Sequence, residues 1–483
     1  MQLISLLIIG NTITCAAIHI HLNVDRRHLD EVGLSTTLQA LNDFKKSIIA
    51  DPMHVLDTWD TTNVSGDPCD SSWIGLGCDS QGRVTSISLS NRSLQMALGG
   101  FPNTLSLLSS LYSLDLSFNN ISFSLNSSSF SSSSSLSLLN LSHNSINGIP
   151  TLSSFSNLTS LSSLALDNNL LNGPLTLPPS CFPQLLTLTL ATNSLSSSLP
   201  TSFSSCSALR YLDLSFNNFT DTLLPISFSN LTHLTYFDIS HNTHLGGSIP
   251  SSLGNCTNLQ HLDFSGVPFI GTIPPSLGLG CHNLTYLSFF YTTMNGSFPP
   301  EMALLSKLDS LVLEGSSFSG TILDIVMNCT ELTVLDLYAN TFHGTIPEDF
   351  GWKLKKMNKL VLGMNKFSGP IPSSIGNCTQ LNNLILGFNN FSGKQVSYSV
   401  QINLPPPFTY EEIITALDLC SCYFPQWLLS STFVTSSNKI LVIFFKFPCS
   451  SCPCEKMKSS LFFTWVECLA YSLPRGGLVH RSS

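Results

Sequence analysis

The chain has 483 residues, of which 43% are hydrophobic and only 10% charged, with a formal net charge of −9. That balance argues against nucleic acid as a partner. Length alone would suggest about three domains, and a mean hydropathy of +0.25 calls for one continuous core to absorb the apolar residues.

The N-terminus opens with the apolar run Leu3 to Ile9, followed by Cys15-Ala16-Ala17, small residues suited to cleavage, so residues 1–17 read as a secretory signal. Next comes a segment, residues 38–89, that is not repetitive. It holds Leu41-Asn-Asp-Phe44-Lys45, Asp51-Pro52, Trp59 and the loop Cys69-Asp-Ser-Ser-Trp73-Ile-Gly75-Leu-Gly-Cys78. In an oxidising compartment Cys69 and Cys78 should form a disulfide that seals the open N-terminal end of the repetitive part of the chain.

From Leu111 one sentence is written twelve times, with copies starting at Leu111, Leu136, Leu161, Leu185, Leu209, Leu234, Leu259, Leu284, Leu308, Leu332, Met357 and Leu381. The clearest copy is Leu332-Thr-Val-Leu335-Asp-Leu337-Tyr-Ala-Asn340-Thr-Phe342-His-Gly344-Thr-Ile346-Pro347, a leucine-rich repeat. The L-x-x-L-x-L stretch alternates as a strand does, so Leu335 and Leu337 point inward while Asp336 and Tyr338 point out. A single repeat cannot bury its own apolar face, whereas a stack of them buries a continuous core. The expected fold class is an α/β solenoid over residues 90–393 with a parallel sheet on its concave face. The Asn after each strand (Asn119, Asn144, Asn169, Asn193, Asn217, Asn242, Asn340, Asn365, Asn389) should bond backbone groups that have left the sheet. Val267, Thr292 and Ser316 stand where Asn is missing, which predicts looser turns or a compensating water there.

The repeat phase organises three further sets of residues. Glycosylation acceptors N-x-S/T occur at Asn63, Asn91, Asn120, Asn126, Asn157, Asn218, Asn230, Asn255, Asn283, Asn295, Asn328, Asn377 and Asn390, and also at Asn140, where a glycan would obstruct the concave face. Cys206, Cys256, Cys281, Cys329 and Cys378 each lie three residues before a repeat's first apolar residue, so a common buried slot is expected for all five. The outward strand positions form a first column, Tyr112, Tyr211, Tyr236, His261 and Tyr286, and a second, Asp115, Asp213, Asp238, Asp263 and Asp336. Phe290, Tyr291, Glu314 and Tyr338 add to them, two large rings side by side calling for a partner. Aromatic rings and carboxylates suit an extended peptide; Asp in L-D-L equally serves solubility and strand orientation, and both readings stand.

After Gly393 the pattern stops, and seven Lys/Arg against five Asp/Glu replace the acidic excess of the body. The apolar runs Ile440 to Phe447 and Leu461 to Leu473 are shorter than the roughly 18 residues a membrane span needs, so no transmembrane span is expected. Cys420, Cys422, Cys449, Cys452 and Cys454 lack paired C-x-x-C spacing, and the histidines show no H-x-x-x-H pair. No metal and no cofactor are therefore expected. Residues 394–483 read as a divergent, disordered tail.

The segment around Trp59, Cys69, Trp73 and Cys78, with Gly82-Arg83-Val84 after it, resembles the N-terminal cap of plant leucine-rich-repeat receptor-like kinases. The endings Leu245-Gly-Gly-Ser-Ile249-Pro250, Phe342 to Pro347 and Phe367 to Pro372 resemble the plant-specific repeat subclass. Phe408-Thr-Tyr410-Glu-Glu-Ile413 resembles the segment that precedes the kinase core in that family, but no phosphate loop, V-A-I-K lysine or D-F-G site comes after it. The resemblance implies a right-handed superhelical ectodomain, not an enzyme, secreted or extracellular, that binds a peptide, small ligand or co-receptor kinase on its concave face. The alternatives are a fragment of an active receptor kinase whose span and kinase are missing, at the plasma membrane if the full gene carries a span, and an inhibitor of secreted wall-degrading enzymes.

Overall fold

The computed structural model describes residues 31–60, 67–70, 72–97, 99–125 and 135–392, together with the backbone of 401–403 and 441–442. The candidate leader at 1–17, the acceptors Asn63 and Asn126, the segment Phe408 to Ala416 and the cysteines from Cys420 to Cys454 lie outside the described residues.

The N-terminal end is closed by a helix, Glu31–Ser47. Leu38, Leu41 and Phe44 recur on one face of it and are buried, and Lys45 and Lys46 occupy its last turn, where the helix dipole favours cations. Lys45 also donates to the carbonyl of Trp59 (2.9 Å). Phe44, Trp59 and Trp73 stack in series with ring centroids 5.9 and 6.2 Å apart, and the Trp59 indole N–H donates to the Ile74 carbonyl (2.9 Å). Cys69 and Cys78 are joined, with Cα atoms 5.7 Å apart. Cys78 ends the strand Leu76–Cys78, which pairs antiparallel with Val84–Ser88, the first rung of the long sheet.

That sheet has sixteen strands. From Val84–Ser88 to Asn383–Ile385 every neighbour is parallel, one short strand per repeat and in constant register. The strands are short because each leaves the ladder at the Asn turn. Asn242, fully buried, shows how the turn is satisfied: its amide donates to the carbonyls of Leu214 (3.0 Å), Ile239 (2.9 Å) and Ser240 (3.3 Å), and its oxygen accepts from the Phe219 N–H (3.1 Å). Two of those partners belong to the preceding repeat, so each Asn stitches neighbouring coils together.

Of the turns without Asn, those at Thr292 and Ser316 are tied together by hydroxyls. Ser316 Oγ donates to the Phe289 carbonyl (3.0 Å) and accepts from the Thr292 N–H (3.2 Å), the two inter-repeat roles that Asn340 performs one repeat later. Thr292 Oγ1 also meets Ser316 Oγ at 2.9 Å. Two hydroxyls thus take over from one amide. At Val267 the chain continues into Pro268, which has no N–H to give a ladder. There the second row of strands breaks: one five-stranded sheet ends at His244–Gly246 and the next begins at Asn295–Ser297.

The far side is mostly 3-10 turns, among them Thr201–Ser205, Ser251–Asn255 and Ser373–Asn377. Each is entered through a proline (Pro200, Pro250, Pro372) whose ring holds φ near −70°. Between the sheet and these turns, phenylalanines run from repeat to repeat: Phe289, Phe318, Phe342, Phe367 and Phe391 succeed one another at 6.2 to 6.5 Å. Leu384 and Leu386 in the last repeat are buried, and Gln401–Asn403 pairs antiparallel with their strand.

The cysteine slot holds for four of its five members. Cys256, Cys281, Cys329 and Cys378 are free and buried, with each thiol directed at a carbonyl of the preceding repeat, and burial pushes their pKa values up to about 12. Cys206 is the exception and corrects the expectation: it is bonded to Cys181, with Cα atoms 5.1 Å apart. Cys181 lies four residues before Leu185 where the others lie three before, and its backbone is left-handed, with a φ of 55°. Cys256 and Cys281 are also one repeat apart, but both are in phase and stay reduced.

Candidate functional site

The concave face is assembled from strand positions that the register aligns. Tyr211, Tyr236, His261 and Tyr286 are consecutive partners across four parallel strands, and Asp213, Asp238 and Asp263 are consecutive two residues further on, with Ser288 next in line. Tyr112 does not belong to the first column, contrary to expectation. The register puts Ser113 there, and Tyr112 sits one residue earlier, 53% exposed.

The four rings form a single stack. Centroids are 4.1, 4.3 and 4.3 Å apart and the planes are within 8° of parallel. Parallel strands about 4.8 Å apart impose that spacing, and each contact adds about 0.5–1.5 kcal/mol beyond its buried area. Because the ring faces cover one another, the groove meets ring edges: three phenolic hydroxyls and an imidazole. The hydroxyls lean toward the carboxylates, Tyr236 to Asp238 at 3.4 Å and Tyr286 to Asp263 at 3.3 Å.

Each carboxylate is oriented from behind. The backbone N–H groups of Ser215, Ser240 and Ser265 donate to Oδ1 of Asp213, Asp238 and Asp263 at 3.0, 2.8 and 2.8 Å, with the hydroxyls of Ser215 and Ser265 adding 2.7 and 2.5 Å contacts. Asp213 and Asp238, half-buried carboxylates on adjacent strands, resist joint ionisation. Burial raises the pKa of Asp213, and burial followed by the charge of Asp213 raises that of Asp238 to about 7. Burial likewise lifts the phenols of Tyr211 and Tyr286 to about 12 and that of Tyr236 further, and lowers the pKa of His261. This part of the groove therefore favours a ligand that brings positive charge and hydrogen-bond donors.

Toward the C-terminal repeats the character changes. Asp336 is 2% exposed and its carboxylate is held by Lys359 Nζ at 2.7 Å, so it is already paired. Lys359 belongs to the ring column, as the register partner of Val334, and sequence reasoning passed over it. Counting phase through Met357 would have found it. Glu314 is half-buried with its pKa raised by burial and by Asp336, and Tyr338 lies beside it, its ring 3.0 Å from where a Cβ on Gly363 would stand. Phe290 is half-buried and meets Tyr291 edge to face at 4.4 Å, while Tyr291 is 59% exposed and lies over Gly315. Tyr291 is thus the more exposed ring of the pair. It belongs to a row along the sheet margin, one residue before the Asn position of each turn (Thr292 in its own case), in which Phe118, His143, Phe216, His241, Tyr291, Met364 and Phe388 all have positive φ. Phe118 stacks on His143 at 3.9 Å and Phe216 on His241 at 4.2 Å.

Of the acceptor asparagines, Asn91, Asn120, Asn157, Asn218, Asn230, Asn255, Asn295, Asn328 and Asn390 are exposed, and Asn283 and Asn377 half-buried. Asn140 lies within the strand Leu138–Asn140, its oxygen accepting from the N–H and hydroxyl of Ser142 (3.2 and 2.8 Å). Among the described residues, no helix is long and apolar enough to cross a membrane.

The chain matches the leucine rich repeat N-terminal domain over residues 34–79 and leucine rich repeats over 109–171, 208–231, 233–256 and 258–279. It is 45% identical over 64 residues to a probable leucine-rich repeat receptor-like protein kinase of Arabidopsis thaliana, covering 13% of this chain and 6% of that protein. It is 38% identical over 82 residues to receptor-like protein kinase 5 of the same plant, covering 17% and 8%. The matches thus span less than a tenth of these relatives' lengths. Among solved structures, a TDR receptor superposes with a TM-score of 0.60 at 29% identity, covering 64% of this chain and 52% of the other, and PEPR1 in its complex with AtPEP1 with 0.57 at 26%, covering 75% and 56%. The chain therefore carries an N-terminal leucine-rich-repeat domain followed by leucine-rich repeats, and its homologues are plant receptor kinases of that type.

Proposed function

We propose that this chain is an extracellular recognition module whose concave face binds an extended peptide carrying basic groups, in the manner of a receptor-kinase ectodomain, with a co-receptor kinase as further partner. The observation that carries the reading is the alignment, on one rigid sheet, of the stack Tyr211–Tyr236–His261–Tyr286 with the carboxylates of Asp213, Asp238 and Asp263. A site fixed by backbone register and second-row serines orders little on binding, so less of the contact energy is lost to entropy. Support from relatives is in kind: the solved structure of PEPR1 holds AtPEP1, and that of RGFR1, a plant peptide hormone receptor, holds RGF2. Kinase activity in the curated relatives concerns proteins of which the matches span less than a tenth.

The paired disulfides and the exposed acceptor asparagines suit an oxidising, glycosylating compartment. Roles in recognition fall to Tyr211, Asp213, Tyr236, Asp238, His261, Asp263, Tyr286, Phe290, Tyr291, Glu314 and Tyr338, with Asp336 orienting Lys359.

The test is calorimetric titration of the secreted full chain with extended peptides of matched length that are basic, neutral or acidic. Basic peptides should bind, and the double variant Asp213→Asn, Asp238→Asn should weaken them at least about tenfold, the scale of a buried charge-assisted contact. Equal binding of acidic peptides, or an unaffected double variant, would overturn the reading.

A further inference from the structure

The groups that meet at the centre of the ring stack are not carboxylates alone. Asp238, His261 and Asp263 each present one donor atom, and these three atoms lie within 4.8 Å of one another. We infer that Asp238, His261 and Asp263 form a binding site for a divalent transition-metal ion, for which zinc is the probe, with a further coordination position open to the groove.

Donor chemistry and geometry support this. One imidazole nitrogen and two carboxylate oxygens are ligands that zinc accepts at about 2.0–2.2 Å, which in a tetrahedral site puts donors roughly 3.4 Å apart. Closing from the present separations requires shifts of about 1 Å, within reach of the soft terminal torsion of an aspartate. The remaining contacts resemble the outer layer that orients metal ligands. His261 is clamped between the rings of Tyr236 and Tyr286, 4.3 Å on either side, so its plane is already set. Asp238 is steadied by the Ser240 N–H, and Asp263 by Ser265 and by the Tyr286 hydroxyl. Among the described residues, no Lys or Arg forms an ion pair with either carboxylate; the lysine of this face, Lys359, is taken by Asp336.

Nothing in the linear sequence advertises the site, because its members come from two strands 25 residues apart at equivalent phases. With three protein ligands a tetrahedral ion keeps one position for water or for a donor atom of whatever lies in the groove. The inference does not rest on peptide binding, and its test uses no peptide.

The full secreted chain, stripped with a chelator and dialysed, is titrated with zinc chloride near neutral pH. The variant with Cys420, Cys422, Cys449, Cys452, Cys454 and Cys468 all replaced by serine is the background, so that thiols after Gly393 do not contribute. One site of micromolar affinity is expected. His261→Gln and Asp263→Asn should each weaken it about tenfold or more, while His241→Gln, whose ring stacks on Phe216 outside the cluster, should leave it unchanged. Circular dichroism establishes that each variant is folded. Absence of zinc binding, or binding that survives His261→Gln or is lost with His241→Gln, would overturn the assignment.

Discussion

Replacing Asn242 by alanine removes an amide that serves four backbone groups in two repeats. Ser240 keeps a second partner, since its carbonyl also accepts from the Phe216 N–H (2.9 Å). The Leu214 carbonyl likewise keeps the Asn217 amide (3.2 Å), but the Phe219 N–H and the Ile239 carbonyl lose their side-chain partner at a position with no exposure to water. A buried polar group left unpaired costs about 1–3 kcal/mol, so two of them come to about 2–6 kcal/mol. Asn242→Asp should be worse than alanine at neutral pH. It retains an acceptor for Phe219 but turns a carboxylate toward three carbonyls. A solenoid need not unfold in one step, so the direct measurement is amide exchange of the full chain, repeat by repeat. Protection at Phe219 and in the flanking strands Tyr211–Asp213 and Tyr236–Asp238 should fall by about two to four orders of magnitude with alanine. A cost below about 1 kcal/mol, or an aspartate variant milder than alanine, would refute the view that these amides join the coils.

Cys206→Ser should lower stability by about 3 kcal/mol, as expected for opening a loop of this size, whereas Cys256→Ala should cost far less; urea denaturation of the two side by side checks the order. Asp213 and Asp238 have folded pKa values raised above the ordinary carboxylate value. The folded chain therefore holds protons that the unfolded chain releases, and stability should rise as pH falls from above about 7 toward 4, by at most about 4 kcal/mol for Asp238. Melting midpoints across that window should show the gain, and Asp238→Asn should flatten it; stability that falls over the same window would contradict the assignment. Tyr236→Phe keeps the ring stack and removes one hydroxyl, so it should weaken binding of a basic peptide several-fold without lowering the melting midpoint.

The fold was legible because a period of 24 or 25 residues leaves little freedom: strands, Asn turns and proline-entered 3-10 turns all come from one phase. Errors came where a residue stood one place off that phase. Cys181 was missed for that reason, and Tyr112 was grouped with rings it does not join, since alternation decides which face a side chain takes. The turns at Thr292 and Ser316 were misjudged for a different reason. Two hydroxyls in adjacent repeats can share the work of one amide, and that compensation is visible only when the repeats are stacked. Columns of like residues could be read from the sequence; whether they touch, as the rings do, or are already paired, as Asp336 is, depended on lateral neighbours such as Lys359.

That difference alters what the aromatic column can do. Separated tyrosines would offer broad apolar faces, and recognition would scale with contact area. In a continuous stack each face is spent on the next ring, and the strand spacing fixes the order. The surface left to a ligand is then a row of hydroxyl and imidazole edges above a row of carboxylates, repeating about every 4.8 Å along the solenoid. An extended peptide advances about 3.3 Å per residue, so it cannot match that row residue for residue; only some of its groups can align with hydroxyls and carboxylates at once. Specificity in this groove should therefore arise from the placing of a few charged or donor groups along the peptide. Tyr291, an exposed ring on the sheet margin, is the natural seat for one apolar side chain.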